Sequence, residues 1–126
     1  MRGDVGLIAV CTHVANLLHQ PWTIQTLNAA VDAELATLPD DMVARFRHIS
    51  GLIRDMGLER VRQPHVDHLQ GPLWEMRLRG KAGIARALYV TASGQRVVIV
   101  RAFVKKTQKT PPSEIRLALQ RARDVK

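Results

Sequence analysis

Cationic residues cluster in three consecutive segments of the C-terminal half of the chain. Arg77 and Arg79 alternate in "LWEMRLR", Arg86 lies near the start of "IARALYVT", and lysines follow directly in "AFVKKTQKTPPSEI" (residues 102–115). Arginine clamps phosphate oxygens but does not release its proton, whereas lysine can act as acid or base if burial and neighbouring charge lower its pKa. Reaching neutrality requires a pKa shift of about 3 units, or about 4 kcal/mol. The cluster therefore suits a phosphate site or a solvated charged edge that protects strand ends, and these residues alone leave both open.

The charge of the chain is concentrated in the same half. The 126 residues carry a net charge of +8, yet residues 1–72 hold six Arg against eight acids, while residues 73–126 hold thirteen Lys or Arg against three acids. Such asymmetry predicts a polyanionic partner, namely nucleic acid, an anionic membrane or an acidic protein. Cations crowded on neighbouring strands, about 4.8 Å apart, would repel one another unless a polyanion joined them. RNA phosphate is the natural candidate.

Three other residues have side chains that could do chemistry. His65 and His68 in "PHVDHL" have a spacing that two metal ligands could use, but no further ligand cluster accompanies them beyond Asp67. The favoured interpretation is that they are satisfied loop histidines, with an RNA-contacting or acid–base role as the next alternative and a metal site as the last. Tyr89 lies in mid-strand and is either a core residue or a platform for base stacking. We expect Trp22 and Trp74 to lie in the core, and we expect no metal and no cofactor.

The first elements that must position these residues are predicted by hydrophobic spacing. A short strand over residues 22–26 precedes a helix that starts at Leu27 and breaks at Pro39. Asp40 or Asp41 can cap a second helix, which Gly57 terminates. The two helices form an αα hairpin. We interpret residues 59–72 as a polar connection.

The apolar period then changes from 3.6 to 2, which predicts a three-stranded antiparallel meander. Ser93 and Gly94 supply a two-residue hairpin loop before the third strand, "QRVVIVRAFV". That strand is apolar on both faces and must therefore be covered by helices on at least one side. Thr110 is a plausible cap for a last helix whose first turn holds two prolines. The fold class is α+β.

The segment "LWEMRLRGKAGIARALYVTASGQRVVIVRAFVKKTQKTPPSEI" resembles the phage-derived, HigB-type toxins of the RelE/ParE superfamily of type II toxin–antitoxin systems. The Leu-Trp-Glu-x-Arg strand, the Gly-Ile-x-Arg-x-Leu-Tyr strand and the Phe-Val-Lys-Lys-Thr-Gln-Lys-Thr-Pro segment carry the likeness. It extends over residues 22–123, so we treat 22–126 as a RelE-like toxin domain. Residues 1–21 lie outside it, as an N-terminal extension or the product of a start codon set too far upstream.

The resemblance implies a metal-independent mRNA endonuclease, usually ribosome-dependent, in which the RNA 2′-hydroxyl attacks the adjacent phosphate. It implies a helix-turn-helix (HigA-like) antitoxin as partner, contact with operator DNA only through the antitoxin complex, no membrane and a cytoplasmic location. By position, the implied catalytic residues are Arg79, Arg86, Lys105 and Lys106. Arg77 also matches the basic strand residues of these nucleases, and we predict that it binds RNA. We predict the same role for Lys81, Arg101, Lys109, His65, His68 and Tyr89. RelE has a tyrosine in its last helix and "PPSEIRLAL" has none, so the general base stays open.

Two other functions remain open at this point. One is a toxin of the ParE sort, which would bind a protein such as gyrase without cutting RNA. The other is a degenerate module that only binds its antitoxin and regulates transcription.

Overall fold

The structure, a computed structural model, describes residues 21–105 and 109–126. Five strands form one mixed sheet in the order β1-β5-β4-β3-β2. The strands are β1 (Thr23–Thr26), β2 (Val66–Gln70), β3 (Leu73–Gly80), β4 (Gly83–Ala92) and β5 (Arg96–Lys105). β1 is parallel to β5, and the other neighbours are antiparallel. The helices in the described residues are α1 (Ala29–Ala36), α2 (Asp40–Met56) and α3 (Pro112–Ala122).

The two faces of the sheet are covered by different helices. One core cluster joins α2 to the sheet through Met42, Ile49 and Met76, and a second joins α3 to it through Leu88, Val100 and Ala118. The central strands β4 and β5 are therefore apolar on both sides, as the run "VVIV" predicts. The predicted α+β class, the helix pair, the meander and the C-terminal helix are confirmed. The proposed extension over residues 1–21 falls almost entirely outside the described residues.

Strand β2 corrects the interpretation of residues 59–72 as a polar connection. It pairs antiparallel with β3, with His68 opposite Trp74 and a register shift between His68 and Gln70. β2 forms an edge of the sheet, so much of it faces solvent and its apolar alternation is weak. Polar composition alone does not distinguish such an edge strand from a loop.

The hairpin and the helix ends also differ in detail from the predictions. Ala92 pairs with Arg96, so the β4–β5 loop has three residues, with Gly94 (φ 80°) and Gln95 (φ 56°) in left-handed conformations. The cap of α2 is Pro39, which makes no side-chain hydrogen bond. Asp40 and Asp41 lie instead in the first turn, where their negative charges interact favourably with the positive end of the helix dipole. Gly57 ends α2 as predicted, with φ 90°.

Thr110 and Trp74 occupy environments other than those predicted for them. The cap of α3 is Pro111 rather than Thr110, whose hydroxyl is used elsewhere. Trp74 is not a core residue, since 39% of its surface is exposed. No helix within the described residues has both the length and the apolar surface needed to cross a membrane.

A close approach between β3 and α2 gives a first prediction. A Cβ at Gly80 would lie 2.7 Å from both carboxylate oxygens of Asp41 and 2.8 Å from Met42 Cγ, which is fully buried. Asp41 cannot withdraw freely because its Oδ2 accepts the Lys81 N–H at 2.7 Å. We expect Gly80→Ala to lower the free energy of unfolding by about 1–3 kcal/mol, measured by urea denaturation.

Gly51 provides the matched control for Gly80. The nearest atom to a Cβ at Gly51, within α2, is the end of the Arg54 side chain at 4.0 Å. We expect Gly51→Ala to be neutral or stabilising by up to about 1 kcal/mol. A Gly80→Ala variant as stable as the wild type would contradict the close packing of β3 on α2.

Candidate functional site

The register of β3 and β4 places three arginines on one face of the sheet, the face covered by α3. Arg77 and Arg86 are direct cross-strand partners, and Arg79 follows two residues along β3, opposite Ile84. The prediction that Arg77 and Arg79 share a face is confirmed. Arg86 lies directly opposite Arg77, and Arg79 is its diagonal neighbour across the same pair of strands. We call Arg77, Arg79 and Arg86 the arginine face.

The three guanidinium groups differ sharply in exposure. Arg86 is 4% exposed, the Arg77 side chain is 38% exposed, and Arg79 is exposed. Burial lowers the pKa of Arg86 from its ordinary value, and the attraction of Glu75 opposes that shift. Arg86 therefore belongs to the interior beneath the surface that Arg77 and Arg79 present.

Glu75 is the residue that sequence reasoning missed. It is 5% exposed, its Oε2 accepts Arg86 Nη1 at 2.8 Å, and its Oε1 accepts the Thr110 hydroxyl at 2.8 Å. Arg77 Nε lies 3.6 Å from the same Oε2. A buried carboxylate with these partners holds both arginines and ties the chain before α3 to β3. The sequence does contain a hint of this role: Glu75 lies two residues before Arg77, on the same face of the strand, and it is one of only three acidic residues among residues 73–126.

A second carboxylate, Asp67 on β2, also contacts the arginine face. Arg77 Nη2 lies 3.4 Å from Asp67 Oδ2. The expected repulsion between crowded cations is therefore offset by Glu75 and Asp67, and the idea that only a polyanion could stabilise the cluster is wrong. Among the described residues, the Nε atoms of Arg77 and Arg86 are buried without a hydrogen-bond partner.

The predicted lysines are only partly within the described residues. Lys105 ends β5 as the register partner of Ile84, which is also opposite Arg79. Lys106 lies outside the described residues. Lys109 is exposed and directly precedes the buried Thr110. Lys81 is exposed in the turn that joins β3 to β4.

Arg101 lies in a different ion-pair network. Its Nε donates to Glu114 Oε1 on α3 at 2.6 Å, and its Nη1 lies 2.8 Å from Glu34 Oε2 on α1. The hydrogen bond to Glu114 raises the pKa of Arg101. Glu34 also accepts the Ala102 N–H at 3.1 Å and the Arg121 Nη1 at 3.0 Å. This network joins α1, β5 and α3, so the structure gives Arg101 a structural role.

The histidines and Tyr89 lie apart from the arginine face. The His65 ring contacts His48 at a centroid distance of 6.1 Å, and the His68 ring meets Trp74 edge-on at 5.0 Å. Tyr89 is 1% exposed, and burial raises its pKa, which agrees with the core interpretation. No group of three or more potential metal ligands (His, Cys, Asp or Glu) occurs in residues 21–105 and 109–126.

His65 gives a second prediction. Burial lowers its pKa below the ordinary value of 6.5, and Arg45 and His48 act in the same direction. Protons therefore bind the unfolded chain more tightly, so His65 lowers stability as the pH falls below about 6.5 and has no effect well above it. We expect His65→Gln to reduce the loss of stability between about pH 7 and pH 5, measured by urea denaturation. A pH dependence equal to that of the wild type would contradict this; His68→Gln, which leaves the contact with His48 intact, is the control.

The family comparison matches most of this arrangement. The model of the family described as phage-derived protein Gp49-like (DUF891) matches residues 33–123. The chain belongs to the Gp49-like family. The matched segment includes α2, all of β2–β5 and α3, and hence the whole arginine face. The Gp49-like family is toxin-like and related to RelE/HigB-type toxins, which confirms the coarser part of the sequence resemblance. No curated protein matches the chain.

Proposed function

We propose that this Gp49-like protein is the HigB-type toxin of a type II toxin–antitoxin pair and cleaves mRNA, on the ribosome and without a metal ion. The observation that carries the proposal is the arginine face itself: Arg77 and Arg86 are cross-strand partners, and Arg79 lies two residues along β3 at an exposed position. In the proposed reaction the RNA 2′-hydroxyl gives its proton to a base and attacks the neighbouring phosphorus. The bond to the 5′-oxygen breaks, and that oxygen takes up a proton. The products are a 2′,3′-cyclic phosphate and a 5′-hydroxyl.

Within this proposal each residue of the arginine face has a separate task. Arg77 and Arg79 bind the phosphate from the solvent side and stabilise the charge that develops on it. Arg86 is a positioning residue: it lies buried beneath Arg77 and Arg79, and its positive charge adds to the electrostatic attraction of the phosphate. Glu75 fixes the orientation of the Arg86 guanidinium group. Lys105 and Lys106 remain the proposed acid and base, because a guanidinium does not exchange its proton at neutral pH.

The partners follow from the same proposal. The net charge of +10 on residues 73–126 suits mRNA and the ribosome. The cognate antitoxin would be a helix-turn-helix (HigA-like) protein, and operator DNA would be contacted only through the complex of the two. The proposed location is the cytoplasm, where these partners are found.

A second candidate function is favoured by one observation. The arginine face consists of guanidinium groups, two of which, Arg77 and Arg86, form ion pairs with Asp67 and Glu75, and guanidinium groups hold anions better than they transfer protons. This arrangement also suits a non-nucleolytic toxin of the ParE sort, bound to a protein such as gyrase, or a degenerate antitoxin-binding module. A supercoiling assay with the purified chain separates the ParE-like toxin from the nuclease, and lack of toxicity identifies the degenerate module.

Expression of the chain without a partner tests the proposed function as a whole. We expect growth arrest within a few generations, reversal by co-expression of an adjacent helix-turn-helix gene, and new mRNA 5′ ends inside coding regions. Growth arrest with intact messages would contradict the nuclease and favour the ParE-like alternative. Normal growth with soluble, folded protein would contradict both toxins.

A further inference from the structure

A large cavity opens on the opposite face of the sheet from the arginine face. Its volume is about 630 Å³, within the range of small-molecule sites. The wall is mostly apolar and is formed by Leu58, Val61, Val66, Trp74 and Tyr89. The segment between α2 and β2 forms one side, and strands β2, β3 and β4 form the other. Nothing in the proposed cleavage reaction uses this cavity.

Trp74 gives the cavity an exposed aromatic surface. With 39% of its surface exposed, it is one of three large hydrophobic residues so exposed in the described part of the chain. His68 meets it edge-on, with an angle of 67° between the rings, and His68 Nε2 is 2.9 Å from the Gly71 carbonyl oxygen. The Trp74 indole is therefore held in place by His68, which is itself hydrogen-bonded to the backbone. The indole nevertheless stays partly exposed to solvent. A fixed, exposed indole is the kind of surface on which a nucleobase stacks.

The rim of the cavity carries the polar groups that the edge of a base requires. Gln63 can both donate and accept hydrogen bonds, and the Asp67 carboxylate accepts them. Arg62 adds a positive charge at the same rim, where its Nε donates to the Glu59 carbonyl oxygen at 3.0 Å. A flat heteroaromatic ring with a sugar phosphate attached matches this combination better than an aliphatic side chain, which would leave the rim groups unused.

Asp67 connects the cavity to the arginine face. It belongs to the cavity lining, and its Oδ2 contacts Arg77 Nη2 at 3.4 Å. An RNA strand held by phosphate at Arg77 would thus pass the β2 edge beside the cavity. We propose that the cavity binds a nucleobase of the RNA, stacked on Trp74. The inference rests on the proposed function, because it assigns a further nucleotide of the same RNA to this side of the molecule.

The test uses the full chain with Trp22→Phe, which leaves Trp74 as the one tryptophan. Titration with each of the four nucleoside 5′-monophosphates should quench Trp74 fluorescence saturably for at least one of them. Ribose 5-phosphate, which has the anion but no base, should give no quenching. Equal quenching by ribose 5-phosphate, or no saturable quenching by any nucleotide, would overturn the proposal.

A second readout does not depend on tryptophan fluorescence. Methyl NMR signals of Val61 and Val66 should shift on addition of the same nucleotide, and Trp74→Leu should weaken its binding by at least about tenfold, as the loss of one base–aromatic stack predicts. If Trp74→Leu does not fold, the exposed Gln63→Ala should weaken binding instead. Methyl shifts with indole but not with nucleotides would identify a pocket for a partner's side chain and overturn the proposal.

Failure of this inference can be told apart from failure of the proposed function. Nucleotide binding at Trp74 by a chain that leaves mRNA intact would remove the nuclease and keep the base-binding cavity. Cleavage of mRNA by a chain whose Trp74 fluorescence does not change with nucleotides would keep the nuclease and remove the base-binding cavity.

Discussion

Replacing Arg86 with alanine should lower the free energy of unfolding by about 3–5 kcal/mol, a large part of the roughly 5–15 kcal/mol typical of a domain. Arg86 is 4% exposed and Glu75 is 5% exposed. Without the guanidinium, the Glu75 carboxylate would stay buried with the Thr110 hydroxyl as its one partner at hydrogen-bond distance among the described residues and with Arg77 Nε 3.6 Å away. An uncompensated buried charge costs more than the ion pair contributes. Urea denaturation of the purified variant measures the loss.

A double variant separates the charge from the packing. Arg86→Met with Glu75→Leu replaces the ion pair with apolar side chains of similar size, and we expect it to recover at least half of the stability lost in Arg86→Ala. Arg79→Ala, at an exposed position of the same face, should change stability by no more than about 0.5 kcal/mol. An Arg86→Ala variant as stable as the wild type would contradict the buried pair.

The second large effect is a loss of catalytic activity in a variant whose stability is nearly unchanged. Arg77→Ala combined with Arg79→Ala should reduce mRNA cleavage by about 100-fold or more, because removal of a single charged or polar donor to a developing oxyanion commonly costs that much. Arg77 is half-exposed and its contact with Asp67 is 3.4 Å long. Surface pairs of that kind contribute about 0–1 kcal/mol. Glu75 keeps Arg86 and Thr110 as partners in this variant, so the fold should persist.

Matched charge removal provides the control for Arg77 and Arg79. Arg116 and Arg123 are exposed on or just after α3. Arg116→Ala with Arg123→Ala lowers the net charge by the same amount and should retain at least half of the activity. Equal loss of activity in both double variants would mean that total charge, and not the arginine face, supports function.

The strands that carry the arginine face could be predicted because their side chains alternate. In β3, Met76 and Leu78 face α2, while Arg77 and Arg79 face the other side of the sheet. The alternation of apolar and charged residues therefore shows which face each side chain takes. The buried pair could not be predicted in the same way. Alternation with Arg77 and Arg79 assigns Glu75 to a solvated face, and only the strand register shows that it meets Arg86. Arg86 shares its face with Leu88, so alternation alone does not show which side of the sheet it takes, whereas the pairing with Arg77 does.

The end of the sheet near β2 was the least predictable part. Trp74 has the large apolar side chain of a core residue, but α2 ends at Met56 and leaves the indole partly uncovered. Which rings a helix covers depends on where the helix stops relative to the strands, and hydrophobic spacing gives no such distance. Thr110 was misassigned for a related reason, since a hydroxyl beside a helix start can cap the helix or bond to a distant carboxylate with equal local geometry.

Cleavage of RNA at the arginine face is tested most directly by the chemical nature of the cut ends. Purified chain should be mixed with ribosomes that carry a defined mRNA, and the 3′ ends of the fragments should be analysed. We predict 2′,3′-cyclic phosphate ends with the wild type and with Arg116→Ala/Arg123→Ala, and at least about 100-fold fewer with Arg77→Ala/Arg79→Ala. Intact mRNA with the wild type, or undiminished cutting by the Arg77→Ala/Arg79→Ala variant, would contradict the claim.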